Sequence, residues 1–150
     1  MNNQEIIEAL CAAYAMELET VQNYIAASVN LDGVRSEVIK KALAADVTVE
    51  IGHAQRLASR IKTVGGIVPG SLALPRGQKS MQPVEDTTDI VAVIKGVIDA
   101  EEAAITQYNK IIKLCDGVDY VTQDLAIQIL SGEEDHRREF IGFLREYQKD

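Results

Sequence analysis

Gly132-Glu133-Glu134-Asp135-His136-Arg137 decides how this 150-residue chain is read. Glu133 and His136 are three residues apart, so on an α-helix their side chains leave the same face one turn apart. The pattern returns upstream as Glu50-Ile51-Gly52-His53. The chain has two histidines, and each closes a Glu-x-x-His. One such copy would be an ordinary surface pair. Two copies on two helices, with one inward Glu from each of two others, make the ligand set of dinuclear carboxylate metal sites in four-helix bundles. That reading requires four helices and two further carboxylates.

Outward from this stretch, apolar spacing supplies the helices. Ile6, Ile7, Leu10, Tyr14, Leu18, Val21, Ile25 and Val29 recur at three and four, predicting a helix over about 3–31 that stops at Asp32-Gly33. A second helix, about 36–64, has Ser36 as its N-cap and carries Val38, Ile39, Leu43, Val47, Leu57 and Ile61 before ending at Gly65-Gly66. A third, about 88–115, starts at Thr87, Thr88 or Asp89 and stops at Cys115-Asp116-Gly117. Asp119 or Thr122 opens a fourth, about 120–148, with Leu125, Ile129, Leu130, Phe140, Ile141 and Leu144. The segment 65–87 holds all three prolines and no helical period, so it reads as a long crossover. A 28-residue helix is about 42 Å long, and an extended chain of this length can run end to end along it. The expected fold is all-α: one domain over 1–150, a four-helix bundle with a long crossover between the second and third helices.

The two halves repeat. Glu17 to Glu101 and Tyr24 to Tyr108 are offsets of 84, while Glu50 to Glu133 and His53 to His136 are offsets of 83. Leu10 with Ile94, Val21 with Ile105, Leu57 with Phe140 and Ile61 with Leu144 follow the same offsets. A helix pair used twice places two equivalent half-sites around one centre. Glu17 lies on the stripe Leu10, Tyr14, Val21, Tyr24, and Glu101 among Ile94, Val97, Ile105 and Tyr108. A carboxylate on a core stripe is costly unless paired, hydrogen-bonded or bound to metal. Four of them repel one another, and two divalent cations would neutralise the four charges. Oxygen donors with one imidazole per metal suit iron or manganese. The expected ligands are Glu17, Glu50 and His53 for one ion, and Glu101, Glu133 and His136 for the other.

Glu19, Glu102 and Glu134 are turned away from the stripe and read as solvated. Tyr24 and Tyr108 lie two turns along from Glu17 and Glu101, so their phenols either hydrogen-bond the ligand carboxylates or simply fill the core. Asp46 reads first as a helix-surface aspartate, and second as a residue that lines a cation path or orients a ligand.

Composition narrows the function. Net charge −8 with no Lys/Arg tail argues against nucleic acid as a partner. No apolar run reaches the ~18–20 residues of a membrane span. The start Met1-Asn2-Asn3-Gln4-Glu5 lacks the pattern of a signal peptide. Cys11 and Cys115 suit reduced packing thiols of a cytoplasmic protein.

The chain resembles the ferritin-like superfamily, specifically the bacterioferritin-type di-iron proteins. The matching residues are Glu17-Leu18, Gln22-Asn23-Tyr24, Glu50-x-x-His53, Glu101, Tyr108, Asp119-Tyr120-Val121, Ile129-Leu130 and Glu133-Glu134-Asp135-His136. The resemblance implies a ferroxidase: two Fe(II) with Glu50 and Glu133 as bridges, reacting with dioxygen or hydrogen peroxide to give Fe(III), for iron storage or peroxide protection. It also implies a homo-oligomer. Several positions depart from the pattern. Ile51 stands where bacterioferritins carry the haem methionine, so haem is not expected. Ala45 and Val49 replace the histidine and aspartate of their internal iron site. The chain stops at Asp150 without the short fifth helix of 24-subunit cages, which leaves a dimer or a dodecameric shell. The alternative is a rubrerythrin-like di-metal peroxidase or oxidase that draws on an external electron donor and stores nothing. Against it, Ala104 stands where rubrerythrins have a further Glu, and Cys-x-x-Cys pairs are absent.

Overall fold

Several helix ends fall where an aspartate side chain or a glycine takes over backbone groups that a helix leaves unpaired. The helices are α1 (Asn3–Asn30), α2 (Glu37–Thr63), α3 (Ile90–Cys115) and α4 (Tyr120–Tyr147). The computed structural model describes residues 3–149; Met1, Asn2 and Asp150, which the expected domain bounds include, lie outside the described residues. Asp89 and Asp119 cap α3 and α4, accepting from Ala92 N and Thr122 N. At the end of α2, Gly65 (φ 96°) takes the left-handed conformation. Gly66 N then bonds Ile61 O at 2.8 Å and Gly65 N bonds Lys62 O at 3.1 Å, the paired bonds of a Schellman motif.

Ser36 does not cap α2 as expected. Its hydroxyl bonds Asp32 O at 2.5 Å and closes the turn that leads into the helix, so no side-chain cap is made. Three residues of the expected stripes also lie outside the core: Val29 is 72% exposed, and Ile25 and Val38 are exposed as well. All three are turned away from the core by helix phase: Ile25 follows Tyr24 and Val38 precedes Ile39, both fully buried, and Leu31, beyond Val29, is buried as well.

Each helix carries apolar residues on both sides of its core glutamate, and these form two layers. One contains Ile6, Leu10, Leu57, Ile61, Ile111 and Ile129; the other contains Leu31, Ile39, Leu43, Ile94, Val97 and Phe140. The start of α1 thus meets the end of α2, and the end of α3 meets the start of α4, so each pair is antiparallel. The end of α2 and the start of α3 lie at opposite ends of the bundle, and residues 64–89 must run its length. The four glutamates fall between the two layers.

The crossover is pinned beside the glutamates. Glu19, expected to be solvated, instead accepts from Gly77 N (3.1 Å) and Gln78 N (2.8 Å). Gln78 then reaches Thr20 Oγ1 and takes a bond from Asn23, each at 2.8 Å. A carboxylate bonded to backbone N–H groups contributes roughly 1.5–3 kcal/mol. Glu19→Ala should therefore lower the unfolding free energy by about 1.5–3 kcal/mol, read as a lower urea midpoint at an unchanged m-value; a change under ~0.5 kcal/mol, the range of plain surface sites, would contradict the anchoring role.

Further along, the crossover presses on α3 at Gly96. A Cβ there would lie 2.3 Å from Ser80 O and 3.4 Å from Met81 Sδ. Alanine would gain about 1 kcal/mol as a helix former, but the backbone of the crossover would have to move. We expect Gly96→Ala to cost a net ~1–3 kcal/mol in chemical denaturation; a more stable variant would show that the crossover yields freely.

Candidate metal centre

α1 contributes Glu17, α2 Glu50 and His53, α3 Glu101, and α4 Glu133 and His136. The structure brings all six together between the apolar layers. The four glutamates are 1–2% exposed. Donor atoms of Glu17, Glu50, His53 and Glu133 lie within 4.8 Å of one another, as do those of Glu50, Glu101, Glu133 and His136. Glu50 and Glu133 belong to both groups, so the two clusters adjoin through these two carboxylates.

Both imidazoles turn Nδ1 into the cluster. His53 Nδ1 lies 3.5 Å from Glu17 Oε2, 3.3 Å from Glu50 Oε2 and 3.0 Å from Glu133 Oε1. His136 Nδ1 lies 3.3 Å from Glu50 Oε1 and 3.9 Å from Glu101 Oε1.

The tyrosines settle between their two readings by crossing over. Tyr24 on α1 donates to Glu101 on α3 at 2.5 Å, and Tyr108 on α3 donates to Glu17 on α1 at 2.7 Å. Each orients the carboxylate of the opposite half. Burial raises both phenols well above their usual range, with Glu101 and Glu17 respectively adding to it, so they keep their protons and act as donors.

Asp46 is a correction to its first sequence reading. It is buried rather than on the surface, with Oδ1 3.4 Å from His136 Nε2. Its position one turn before Glu50 was the available signal. Glu102 and Glu134 are exposed, as their helix phase predicts.

Crowding of charge in a buried space shifts every group. Burial, and then Glu50, hold Glu17 well above the carboxylate range. Burial, and then Glu133, push Glu101 up to about 11, and burial lifts Glu133 to about 7. Burial also opposes ionisation of Glu50, but the adjoining Glu17 carboxyl and the His136 and His53 imidazoles outweigh it and hold this carboxyl below the usual range. Desolvation disfavours the charged imidazoles too, yet Glu133, Glu17 and Glu50 raise His53 to about 12, and Glu50 and Asp46 raise His136 to about 9. Protons thus share the space in which four carboxylates would otherwise repel.

The donor set fits a pair of hard divalent cations. Glu17 Oε2, Glu50 Oε1, Glu101 Oε2, Glu133 Oε1 and His136 Nδ1 are buried with no hydrogen-bond partner. Buried polar atoms are nearly always satisfied, and here five orphans converge on one centre with the hardness that iron or manganese prefers.

A family model for the ferritin-like domain matches residues 7–149. The chain belongs to the ferritin-like family. Among its relatives is a bacterioferritin from Desulfovibrio desulfuricans, 31% identical over 134 residues, 88% of this chain and 70% of that protein. A DNA protection during starvation protein from Pyrococcus furiosus is 28% identical over 141 residues, 91% of this chain and 75% of that one. Two solved structures share the ferritin-like bundle. The bacterioferritin-related protein of Bacteroides fragilis, a dodecameric thioferritin, superposes with a TM-score of 0.89 at 23% identity, covering 99% of this chain and 89% of its own. A ferritin-like di-iron carboxylate protein from Bacillus anthracis superposes with a TM-score of 0.84 at 22% identity, covering 96% and 99%. Among the described residues, no helix is long and apolar enough to cross a membrane.

Proposed function

We propose that this ferritin-like protein is a ferroxidase, oxidising Fe(II) with dioxygen or hydrogen peroxide in the service of iron storage or peroxide protection. The observation that carries this reading is the sharing of Glu50 and Glu133 between two carboxylate–histidine groups. Glu17 and His53 would complete one iron position and Glu101 and His136 the other, with Glu50 and Glu133 as bridges. An iron pair supplies two electrons at a single centre, which suits two-electron reduction of an oxidant. The chain's own part is to hold that pair in place. Tyr24 and Tyr108 orient Glu101 and Glu17, and the apolar layers on either side keep bulk water from the carboxylates.

The reading extends to a homo-oligomeric shell in the cytoplasm, formed by a single domain over 1–150. The dodecameric assembly of the Bacteroides fragilis relative supports the shell, and the free thiols Cys11 and Cys115 suit a reducing compartment. The net charge of −8 weighs against DNA as a partner despite the name of the Pyrococcus furiosus relative. A native mass near twelve times 16.4 kDa would support storage. A dimer would favour the alternative, a rubrerythrin-like peroxidase or oxidase with an external electron donor. The site itself is tested by anaerobic titration with Fe(II), which should saturate at two equivalents per chain. Saturation at one, or no binding, would remove the dinuclear reading.

A further inference from the structure

The internal repeat breaks beside the centre. The offset of 83 that relates Glu50 to Glu133 and His53 to His136 carries Asp46 onto Ile129 and Val49 onto Gly132. The two histidines therefore have different surroundings behind them. His136 turns Nδ1 to the glutamates and Nε2 to Asp46 Oδ1, 3.4 Å away. Asp46 is buried on α2, and its other oxygen, Oδ2, has no hydrogen-bond partner. A carboxylate in that position is costly unless it is used. His53 also turns Nδ1 to the glutamates. Its Nε2, however, faces Gly132, where a Cβ would sit 3.8 Å away. Among the described residues no carboxylate pairs with His53 Nε2. Ile129, the counterpart of Asp46, is fully buried in the apolar layer.

An acceptor behind a ligating imidazole fixes its tautomer and ring orientation, and losing that acceptor typically costs about 10–100-fold in metal affinity. We propose that the two half-sites are unequal by construction: Asp46 is a positioning residue for His136, which makes the His136–Glu101 half the tighter divalent-cation position and leaves the His53–Glu17 half, backed by Gly132, the weaker one. The centre then has a resident ion and an exchangeable ion; the weaker position fills last and empties first. This inference rests on the dinuclear reading above.

Anaerobic titration of apo-protein with Co(II), followed by visible absorption and calorimetry, tests it without reference to catalysis. Wild type should bind two ions in two steps whose Kd values differ by at least about tenfold. Asp46→Ala should weaken the first step by about 10–100-fold and leave the second nearly unchanged. Asp46→Asn, whose amide oxygen can still accept from Nε2–H, should recover most of that loss. Gly132→Asp offers His53 the missing acceptor, since a Cβ fits there at ordinary contact distance, and should tighten the second step. His53→Ala should retain the tight step and His136→Ala the weak one. Circular dichroism of each variant establishes that it is folded; were Asp46→Ala to unfold, Asp46→Asn and Gly132→Asp would decide. Two ions bound in wild type with equal affinity, or equal weakening of both steps by Asp46→Ala, would overturn the asymmetry alone. Fewer than two ions in wild type would overturn the dinuclear reading and the asymmetry with it.

Discussion

Glu101→Ala and Glu17→Ala are expected to reduce aerobic Fe(II) oxidation by on the order of 100-fold or more, since even an outer partner of a metal ligand commonly accounts for 10–100-fold. Glu102→Ala should stay near wild type. Glu101 and Glu102 are adjacent and chemically identical, but a helix turns 100° per residue, so only one can enter the bundle. Glu101 is buried and takes the Tyr24 hydrogen bond, while Glu102 is exposed. Glu17 is the corresponding residue on α1, held by Tyr108. Glu19, 200° away from Glu17 around the helix, is a sterner control because it anchors the crossover. Glu19→Ala should lose stability while its folded fraction oxidises Fe(II) normally. The readout is ferric absorbance in the near ultraviolet after mixing with Fe(II) in air. An inactive Glu102→Ala beside an active Glu101→Ala would sink the assignment on α3.

The second large effect links metal to pH. In the apo-protein Glu17, Glu101 and Glu133 hold protons above the 4.5 of an ordinary glutamate, and His53 and His136 hold theirs above 6.5. A group whose folded pKa is raised contributes stability that is complete below its unfolded value and is lost as pH rises towards its folded value. By pH 5.5 the unfolded chain has lost its glutamate protons, and up to pH 7.5 it releases those of its histidines, while the folded chain keeps most of both. Apo-protein stability should therefore fall across that window. Glu50, with its lowered value, acts in the opposite sense, but its contribution changes only below about 4.5.

Cations compete for the same oxygens and nitrogens, so their binding tightens as pH rises. Binding to the folded state alone adds about 2.7 kcal/mol at a hundredfold excess over Kd. The rise in Tm on adding Mn(II) should thus be larger at pH 7.5 than at pH 5.5, as measured by calorimetry. Apo-protein that grows more stable across this range would contradict the shared-proton account. The absence of any Mn(II) shift would mean the six donors do not act as one site.

Much of this was legible because it is local. The period of the apolar residues specifies four helices, Asp89, Asp119 and Gly65 mark three of their ends, and the spacing of Glu50 with His53 and Glu133 with His136 puts each pair on one face. Helix phase alone turns Glu17 and Glu101 inward and Glu102 outward. What a face meets is another matter, because it depends on residues distant in sequence. Tyr24 and Tyr108 could be placed on the core side of their helices, but only the antiparallel packing of α1 on α3 sends each phenol to the other half's glutamate. Asp46 shares a helix face with His53, yet its contact is His136, 90 positions away on α4. Glu19 left the surface only because the crossover came to it, and Gly96 was needed only because Ser80 passes overhead. Val29, Ile25 and Val38 lie on helix faces that the bundle leaves uncovered, beside Tyr24, Leu31 and Ile39, which it buries. A helix sets the direction of a side chain through its own backbone, but burial and partners are properties of the whole packed chain.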